Sequence, residues 1–339
     1  MNGNLKYKYT KTFEYRRKGA SMKKGLILLT IVSLLAGFAF AGGTQEAGAM
    51  DSGIPKVAFI PGDMANESQS FSARMFQKHA AEFDLEVVIL DGRGDAQAQA
   101  QAVTNAIAQG MKAIFINPND INAIIPSLMQ AKSRGIIVGM FSSDVPASQA
   151  SVRDFFVGVN DNMAGEAAAQ AFLDHFPNGA RIVEIGGQSG HDAQLKRHDG
   201  FNSAIAGSAL EVLDYKATQQ WDTSQALAIM EDMLVVHGSD IDGVFVHWDN
   251  GATGVLNALD AAGMQGKFIV GVDGNRAGFQ QVRDGRQSVT IAQNFETFAI
   301  KTMELTRSIL DGQPVNPVNF IPLDIVSLEN IDTFTPPEW

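Results

Sequence analysis

Ten short apolar runs, at 57–60, 86–90, 113–116, 136–141, 155–159, 181–185, 210–213, 243–247, 268–272 and 288–292, most restrict how this chain can fold. Each has the length and character of a buried strand. Between most of them lie segments of helical period, at 96–109, 121–133, 162–174, 224–236 and 254–261. Gly110, Gly135, Pro177, Gly238, Gly263 and Gly285 stand where such helices should stop. Strands that alternate with helices pair in parallel and are covered on both faces. Ten strands are too many for one small core, and 339 residues suffice for two domains of ordinary size. The expected fold class is α/β, with two doubly wound parallel-sheet lobes.

Sheets of this kind present ligand-contacting groups at the carboxyl ends of their strands. Those ends read Pro61-Gly62-Asp63, Asp91-Gly92, Asn117-Pro118-Asn119, Ser142-Ser143-Asp144, Asn160-Asp161, Gly186-Gly187-Gln188, Trp248-Asp249-Asn250, Asp273-Gly274 and Gln293-Asn294. They are amides, hydroxyls and carboxylates, with aromatics beside some. No cluster of Lys or Arg appears among them, which argues against phosphate. A polyhydroxy ligand fits better: carboxylates and amides bond pairs of hydroxyls, and an indole covers the C–H face of a sugar ring.

Composition removes other classes. With no cysteine there is no disulfide, thiolate metal site or Cys nucleophile. The six histidines show no H-x-x-x-H spacing. The D-x-[DN]-x-[DN]-G calcium pattern is absent, and no cofactor or metal is expected. At the N-terminus a basic start, Met22-Lys23-Lys24, leads into an apolar run and the small-x-small triplet Ala39-Phe40-Ala41. Residues 1–41 therefore read as a signal peptide, with export to the periplasm. Residues 1–21 precede a better start at Met22, as a mis-assigned start or an extended basic n-region would. An uncleaved anchor is the alternative, since about 17–25 apolar residues span a bilayer; the small residues at 36–43 and the polar tether at 42–55 favour cleavage. Cleavage removes eight Lys/Arg and one Asp/Glu, leaving 18 basic and 36 acidic residues and a formal charge of −18. Such a surface repels nucleic acid and bare anionic membrane.

A set of ordered motifs then carries a resemblance. Ile116-Asn117-Pro118-Asn119, Asp161-Asn162 with Gly165, Arg197 before Gly200-Phe201, Trp221-Asp222, Val270-Gly271-Val272-Asp273-Gly274 and Thr290-Ile291-Ala292-Gln293 follow one another behind the signal segment. Together the chain resembles the periplasmic sugar-binding proteins of the ribose/galactose type, the type I solute-binding fold that feeds ABC importers, over residues 56–330. The resemblance implies two lobes joined by a hinge of three crossovers, near residues 160, 293 and 322. Residues 56–160 with 294–322 would form the N-terminal lobe, and 161–293 with 323–339 the C-terminal lobe. It implies ligand contacts from Asp273, Gln293, Arg197, Trp221 and Asn66. Trp248, beside Asp249 where the family has Asn-Asp, is a further candidate. Asp144 is the preferred hydroxyl acceptor of the N-terminal lobe, displaced from the family's Asp-Arg pair. The aromatic pair after the first strand is replaced by Glu67-Ser68-Gln69, so ribose itself does not follow, and another pentose, hexose, polyol or cyclitol fits as well.

Each candidate has a plainer alternative: Asp273-Gly274 as a turn, Arg197 as a solvated helix residue, the indoles as core, and Asp161 and Asn162 as shapers of a crossover. His191-Asp192 is read as a structural loop, and Trp339 is expected to lie away from the cleft. The leading function is a sugar-capture component of an ABC importer, a monomer that docks on a membrane permease and performs no chemistry. A sugar-sensing co-receptor for a sensor kinase or chemoreceptor is the alternative. A repressor would need a DNA-binding segment where the signal peptide stands. A glycosidase would need two carboxylates at a set separation.

Overall fold

A computed structural model describes residues 53–335 and 338–339, and the expected signal peptide lies outside the described residues. Two six-stranded sheets form. In the first, β1 (Lys56–Ile60), β2 (Glu86–Ile89), β3 (Ala113–Ile116), β4 (Ile137–Phe141), β5 (Phe155–Gly158) and β11 (Val318–Phe320) lie in the order β11-β5-β4-β3-β1-β2. In the second, β6 (Ala180–Gln188), β7 (Leu210–Thr218), β8 (Gly243–Val246), β9 (Phe268–Asp273), β10 (Val289–Ala292) and β12 (Asp324–Ser327) lie in the order β12-β10-β9-β8-β6-β7. All described pairings are parallel except that of β12 with β10. The chain passes from one sheet to the other between β5 and β6, between β10 and β11, and between β11 and β12.

The ten apolar runs are ten of these strands; those inside each sheet are buried on both faces, as Ala113–Ile116 and Gly243–Val246 are throughout, while β2 and β7, at sheet edges, are mostly half-buried. The edge strands β11 and β12 carry no such run. Val318, Phe320 and Ile325 stay exposed there, so neither strand has the apolar continuity that marks the others. Helices α1 (Glu67–His79), α2 (Ala96–Ala108), α3 (Ile125–Ser133) and α9 (Phe295–Leu310) cover the first sheet. Helices α4 (Asp161–His175), α5 (Asp192–Ile205), α6 (Thr223–His237), α7 (Asp249–Ala261) and α8 (Arg276–Arg283) cover the second.

Each sheet is sealed by its own cores. Phe59, Phe76, Phe115 and Phe141 meet in the first lobe with ring centroids 4.5–5.3 Å apart. Phe172, Phe201 and Phe245 meet in the second. Each such ring contributes about 1.5–3 kcal/mol when fully buried. The cores hold both sheets rigid and leave their carboxyl ends facing one cleft.

One residue departs from the division expected at 323–339. The Trp339 ring stacks on Phe71 of α1 at 5.8 Å and meets Phe295 of α9 edge-on at 5.1 Å, inside the first lobe's core. Its carbonyl accepts from the Arg276 backbone N–H at 2.5 Å, at the start of α8 in the second lobe. Trp339 thus ties the two lobes instead of lying apart from the cleft.

Candidate functional site

Strands β9 and β10 run in register, with Asp273 opposite Ala292. The next residue, Gln293, donates its backbone N–H to the Asp273 carbonyl and its Nε2 to Asp273 Oδ1, both at 2.9 Å. A carboxylate and an amide at two neighbouring strand ends therefore form one hydrogen-bonding unit. Asp273 sits at φ 123°, a region that residues with a Cβ rarely adopt. The conformation is imposed from beneath. The buried carboxylate of Asp249 accepts from the backbone N–H of Gly274 (2.8 Å) and Asn275 (3.3 Å), from Thr290 Oγ1 (2.7 Å) and from Gln287 Nε2 (2.8 Å). Burial pushes the Asp249 carboxyl up to about 6, against those four donors. Asp273 keeps some accessible surface because it faces the cavity, yet that cavity lies under both lobes. Desolvation accordingly pushes its carboxyl well above the usual range, opposed by the Arg197 charge and reinforced by Asp249.

Arg197 is set by an unusually close helix pair. A Cβ at Gly165 of α4 would come within 2.2 Å of the Arg197 carbonyl, and one at Gly200 of α5 within 2.1 Å of the Asn162 carbonyl. With both absent, α4 and α5 approach until Arg197 Nε reaches Asp161 Oδ1 at 2.8 Å. Arg197 Nη1 also donates to the His247 carbonyl. The guanidinium lies 5.8 Å from the Trp221 ring centroid, within reach of a cation–π contact. A second buried layer supports this one. Glu184 accepts from His247 at 2.9 Å and from His198 at 3.0 Å. Burial would raise the Glu184 carboxyl, but the two histidines together hold it below its ordinary value.

The indoles come from two loops. Trp221 lies over the exit of β6, where a Cβ at Gly187 would fall 1.9 Å from its ring. Trp248 precedes α7 and meets Trp221 edge-on at 5.5 Å and 86°. His191, at the start of α5, stands edge-on to the other side of Trp221 at 5.3 Å. Its Nδ1 accepts from the Ala193 backbone N–H, so the neutral ring carries its proton on Nε2 and donates to Ser143 Oγ at 3.2 Å. Burial, with the charges of Arg197 and Lys196 adding to it, pushes His191 down to about 3.

Six of the seven expected residues, Asn66, Arg197, Trp221, Trp248, Asp273 and Gln293, border a single narrow cavity between the lobes. The first lobe adds Ser68 and Gln69 of α1, Asn117 after β3, Ser142 after β4 and Phe295 of α9. Asn66 caps α1, accepting from Gln69 N at 3.3 Å and Ser68 Oγ at 2.7 Å.

Asp144 is the exception. Ser142, at φ 63°, turns the chain so that it faces the cavity itself. The Asp144 carboxylate is directed to Arg153, which binds Oδ1 through Nε at 2.5 Å and Oδ2 through Nη2 at 2.8 Å. Both oxygens are engaged by Arg153 and Asp144 is not among the residues that line the cavity, so it anchors the β4 exit instead of facing a ligand. His191 and Asp161 carry more than a structural loop and a crossover: His191 borders the cavity, and Asp161 is the counter-ion of Arg197. The Asp161–Arg197 separation of 36 residues offers no local pattern from which the pairing could be read.

The lobes touch across the cleft. Asn250 Nδ2 donates to Glu67 Oε2 (3.0 Å), Gln188 Nε2 to the Asn119 carbonyl (3.2 Å), and the Asp144 N–H to Asp192 Oδ2 (3.2 Å). Within the cavity lining, Asn117 Oδ1, Trp248 Nε1 and Gln293 Oε1 are buried without a partner. An unpaired buried polar atom costs about 1–3 kcal/mol, so three around one cavity mark a place for hydroxyl groups.

Two lobes with a polar, indole-walled cavity between the carboxyl ends of their strands define a two-lobed binding protein. The comparisons agree. Residues 57–314 match the periplasmic binding protein domain, and the chain belongs to that family, among its ribose/galactose-type sugar-binding members. The ribose import binding protein RbsB of Bacillus subtilis (strain 168) is 32% identical over 250 residues, covering 74% of this chain and 79% of that protein. Among solved structures, a solute-binding protein from Bacillus halodurans C-125 with bound myo-inositol shares the fold, with TM-score 0.77, 24% identity and coverage of 84% of this chain and 98% of that one. The fructose binding periplasmic domain of a hybrid two-component system is similar in fold as well, with TM-score 0.77, 22% identity and coverage of 82% and 92%.

Proposed function

We propose that this chain is the extracytoplasmic solute-binding component of an ABC importer, and that it captures a neutral monosaccharide or polyol by closing its two lobes over it. The observation that carries this reading is the Asp273–Gln293 unit facing Arg197 and two indoles in one cavity. Asp273 and Gln293 accept and donate to ring hydroxyls, Arg197 donates to another, and Trp221 with Trp248 supplies the flat apolar wall for the C–H face. The three unpaired buried atoms give discrimination, because a ligand lacking the matching hydroxyl leaves them desolvated. The relatives' names favour neutral polyhydroxy rings: ribose for RbsB of B. subtilis and the cyclitol myo-inositol for the B. halodurans protein.

Binding without chemistry is supported by the carboxylates. Asp144 and Asp249 are both engaged by protein donors, and Asp273 is the one carboxylate among the residues that line the cavity. The interlobe bonds of Glu67–Asn250 and Asn119–Gln188 are of the kind that hinge closure makes and opening breaks. The sensory reading retains support from the two-component-system domain of like fold.

Calorimetric titration with pentoses, hexoses, polyols and cyclitols tests the proposal, followed by recovery of the bound compound. Saturable binding of at least one, returned unaltered, is expected. Failure of all of them to bind, or turnover of one, would overturn it.

A further inference from the structure

Glu184 is wholly buried in the middle of β6, paired in register with Phe245 of β8 on one side and Tyr215 of β7 on the other. It does not line the cavity. Its carboxylate accepts from His247 Nε2 at 2.9 Å, from His198 Nδ1 at 3.0 Å and from Asn202 Nδ2 at 3.1 Å. A carboxylate at such depth is costly, and an apolar side chain of similar volume is often as stable there. Packing of the sheet therefore gives no reason for an acid at this position, but its partners do.

Both histidines are chain neighbours of residues that line the cavity. His198 follows Arg197 on α5, and His247 precedes Trp248 at the exit of β8. A second link joins the same groups, because Arg197 Nη1 donates to the His247 carbonyl. The His247 ring has one tautomer open to it. Its Nδ1 is buried without a partner, and burial holds the ring below its ordinary value, so the proton sits on Nε2 and goes to Glu184. On the helix side, Tyr215 stacks on the His198 ring at 4.1 Å and 27°, which fixes the plane from which it donates. One carboxylate thus pins a strand end and a helix, and these carry the Trp248 indole and the Arg197 guanidinium to the cavity.

We propose that Glu184 is a positioning residue of the binding site: through His247 and His198 it sets where Trp248 and Arg197 stand, and so governs sugar affinity without touching the ligand. This rests on the sugar-binding reading above and adds to it a determinant that lies outside the cavity.

Titration calorimetry of the full chain with D-ribose, D-xylose, D-fructose, D-galactose and myo-inositol tests it, beside urea unfolding of each variant. Glu184→Gln keeps the volume but offers one acceptor oxygen in place of two, and should weaken the tightest probe about tenfold while one site per molecule is retained. A role confined to stability would lower the urea midpoint and the fraction of competent molecules, and would leave the affinity of the folded ones unchanged. His247→Leu removes the ring donor, and His247→Gln puts an amide N–H in its place. The Gln variant should bind at least about threefold more tightly than the Leu variant. Glu184→Gln combined with His247→Leu should bind within about twofold of Glu184→Gln alone, since both break one link. Parent-like affinity in Glu184→Gln, or equal affinity in the two His247 variants, would overturn the positioning role and leave the sugar-binding reading in place. If Glu184→Gln does not fold, the two His247 variants decide. No binding of any probe by the parent would overturn both readings.

Discussion

Arg197 Nε donates to Asp161 Oδ1 at 2.8 Å, and both side chains are almost wholly buried. A buried pair of this kind contributes little net stability while intact, but removing one partner strands the other charge. Asp161→Ala should therefore destabilise the protein by about 3–5 kcal/mol, read as a fall in the urea midpoint. The double variant Asp161→Leu with Arg197→Met leaves no charge behind and should recover most of that loss, yet its sugar affinity should stay low. Equal stability of Asp161→Ala and the parent would show that Arg197 finds another counter-ion.

The φ of 123° at Asp273 places strain on the residue that also carries the central carboxylate. Such a conformation costs on the order of 1–3 kcal/mol for a residue with a Cβ, and glycine escapes it. Asp273→Gly should unfold at higher denaturant than Asp273→Ala by about that amount, because alanine keeps the strain. Both should lose about 1.5–3 kcal/mol of sugar affinity with the charge-assisted hydrogen bonds. If the two variants are equally stable, the backbone is not strained by its side chain.

How much of this was legible follows from how each signal is built. The strands inside each sheet announce themselves because burial on both faces demands continuous apolar runs. The motif residues at strand ends, Asp273, Gln293 and Trp248, are legible because strand polarity alone puts them at the cleft. Asp144 misleads for a local reason: it lies two residues past the Ser142 turn, where a positive φ redirects the chain toward Arg153. The partnership of Asp161 with Arg197 depends on the closeness of two helices, which Gly165 and Gly200 permit without stating which residues then meet. Trp339 lies beyond every strand and helix that was visible, and its place is set by Phe71 and Phe295, more than two hundred and about forty residues away respectively.

Gly187 offers a direct test of the indole wall. A methyl there would overlap the Trp221 ring at 1.9 Å, and Gly187 has no positive φ that would forbid alanine. Gly187→Ala should therefore fold, displace Trp221 and lower sugar affinity by about 0.5–1.5 kcal/mol. Trp221 and Trp248 both border the cavity, so each should report ligand in intrinsic fluorescence. Removing either one by substitution with Phe should reduce the ligand-induced change. An unaltered signal in Trp221→Phe would place that ring outside the ligand's reach.

His191 makes the fold acid-sensitive in a way that one substitution isolates. Its folded value of about 3 lies below the unfolded 6.5, so between those limits the unfolded chain binds the extra proton. Stability from this group is complete above pH 6.5 and is lost as the pH falls, by about 3 kcal/mol near pH 4.5. Asp249 acts in the opposite sense: its raised value of about 6 means stability is lost as the pH rises from about 4 to 6. The raised Asp273 carboxyl acts in the same sense as Asp249 and the lowered Glu184 in the opposite one, so the parent curve mixes several slopes, and His191→Asn isolates that of His191. Asn keeps the helix cap that His191 Nδ1 provides to the Ala193 N–H while removing the titrating ring. The variant should gain on the parent steadily from pH 6.5 to 4.5 in urea unfolding. Parallel curves for variant and parent would mean that the ring protonates in the folded protein as freely as in the unfolded one, which its burial beside Arg197 and Trp221 opposes.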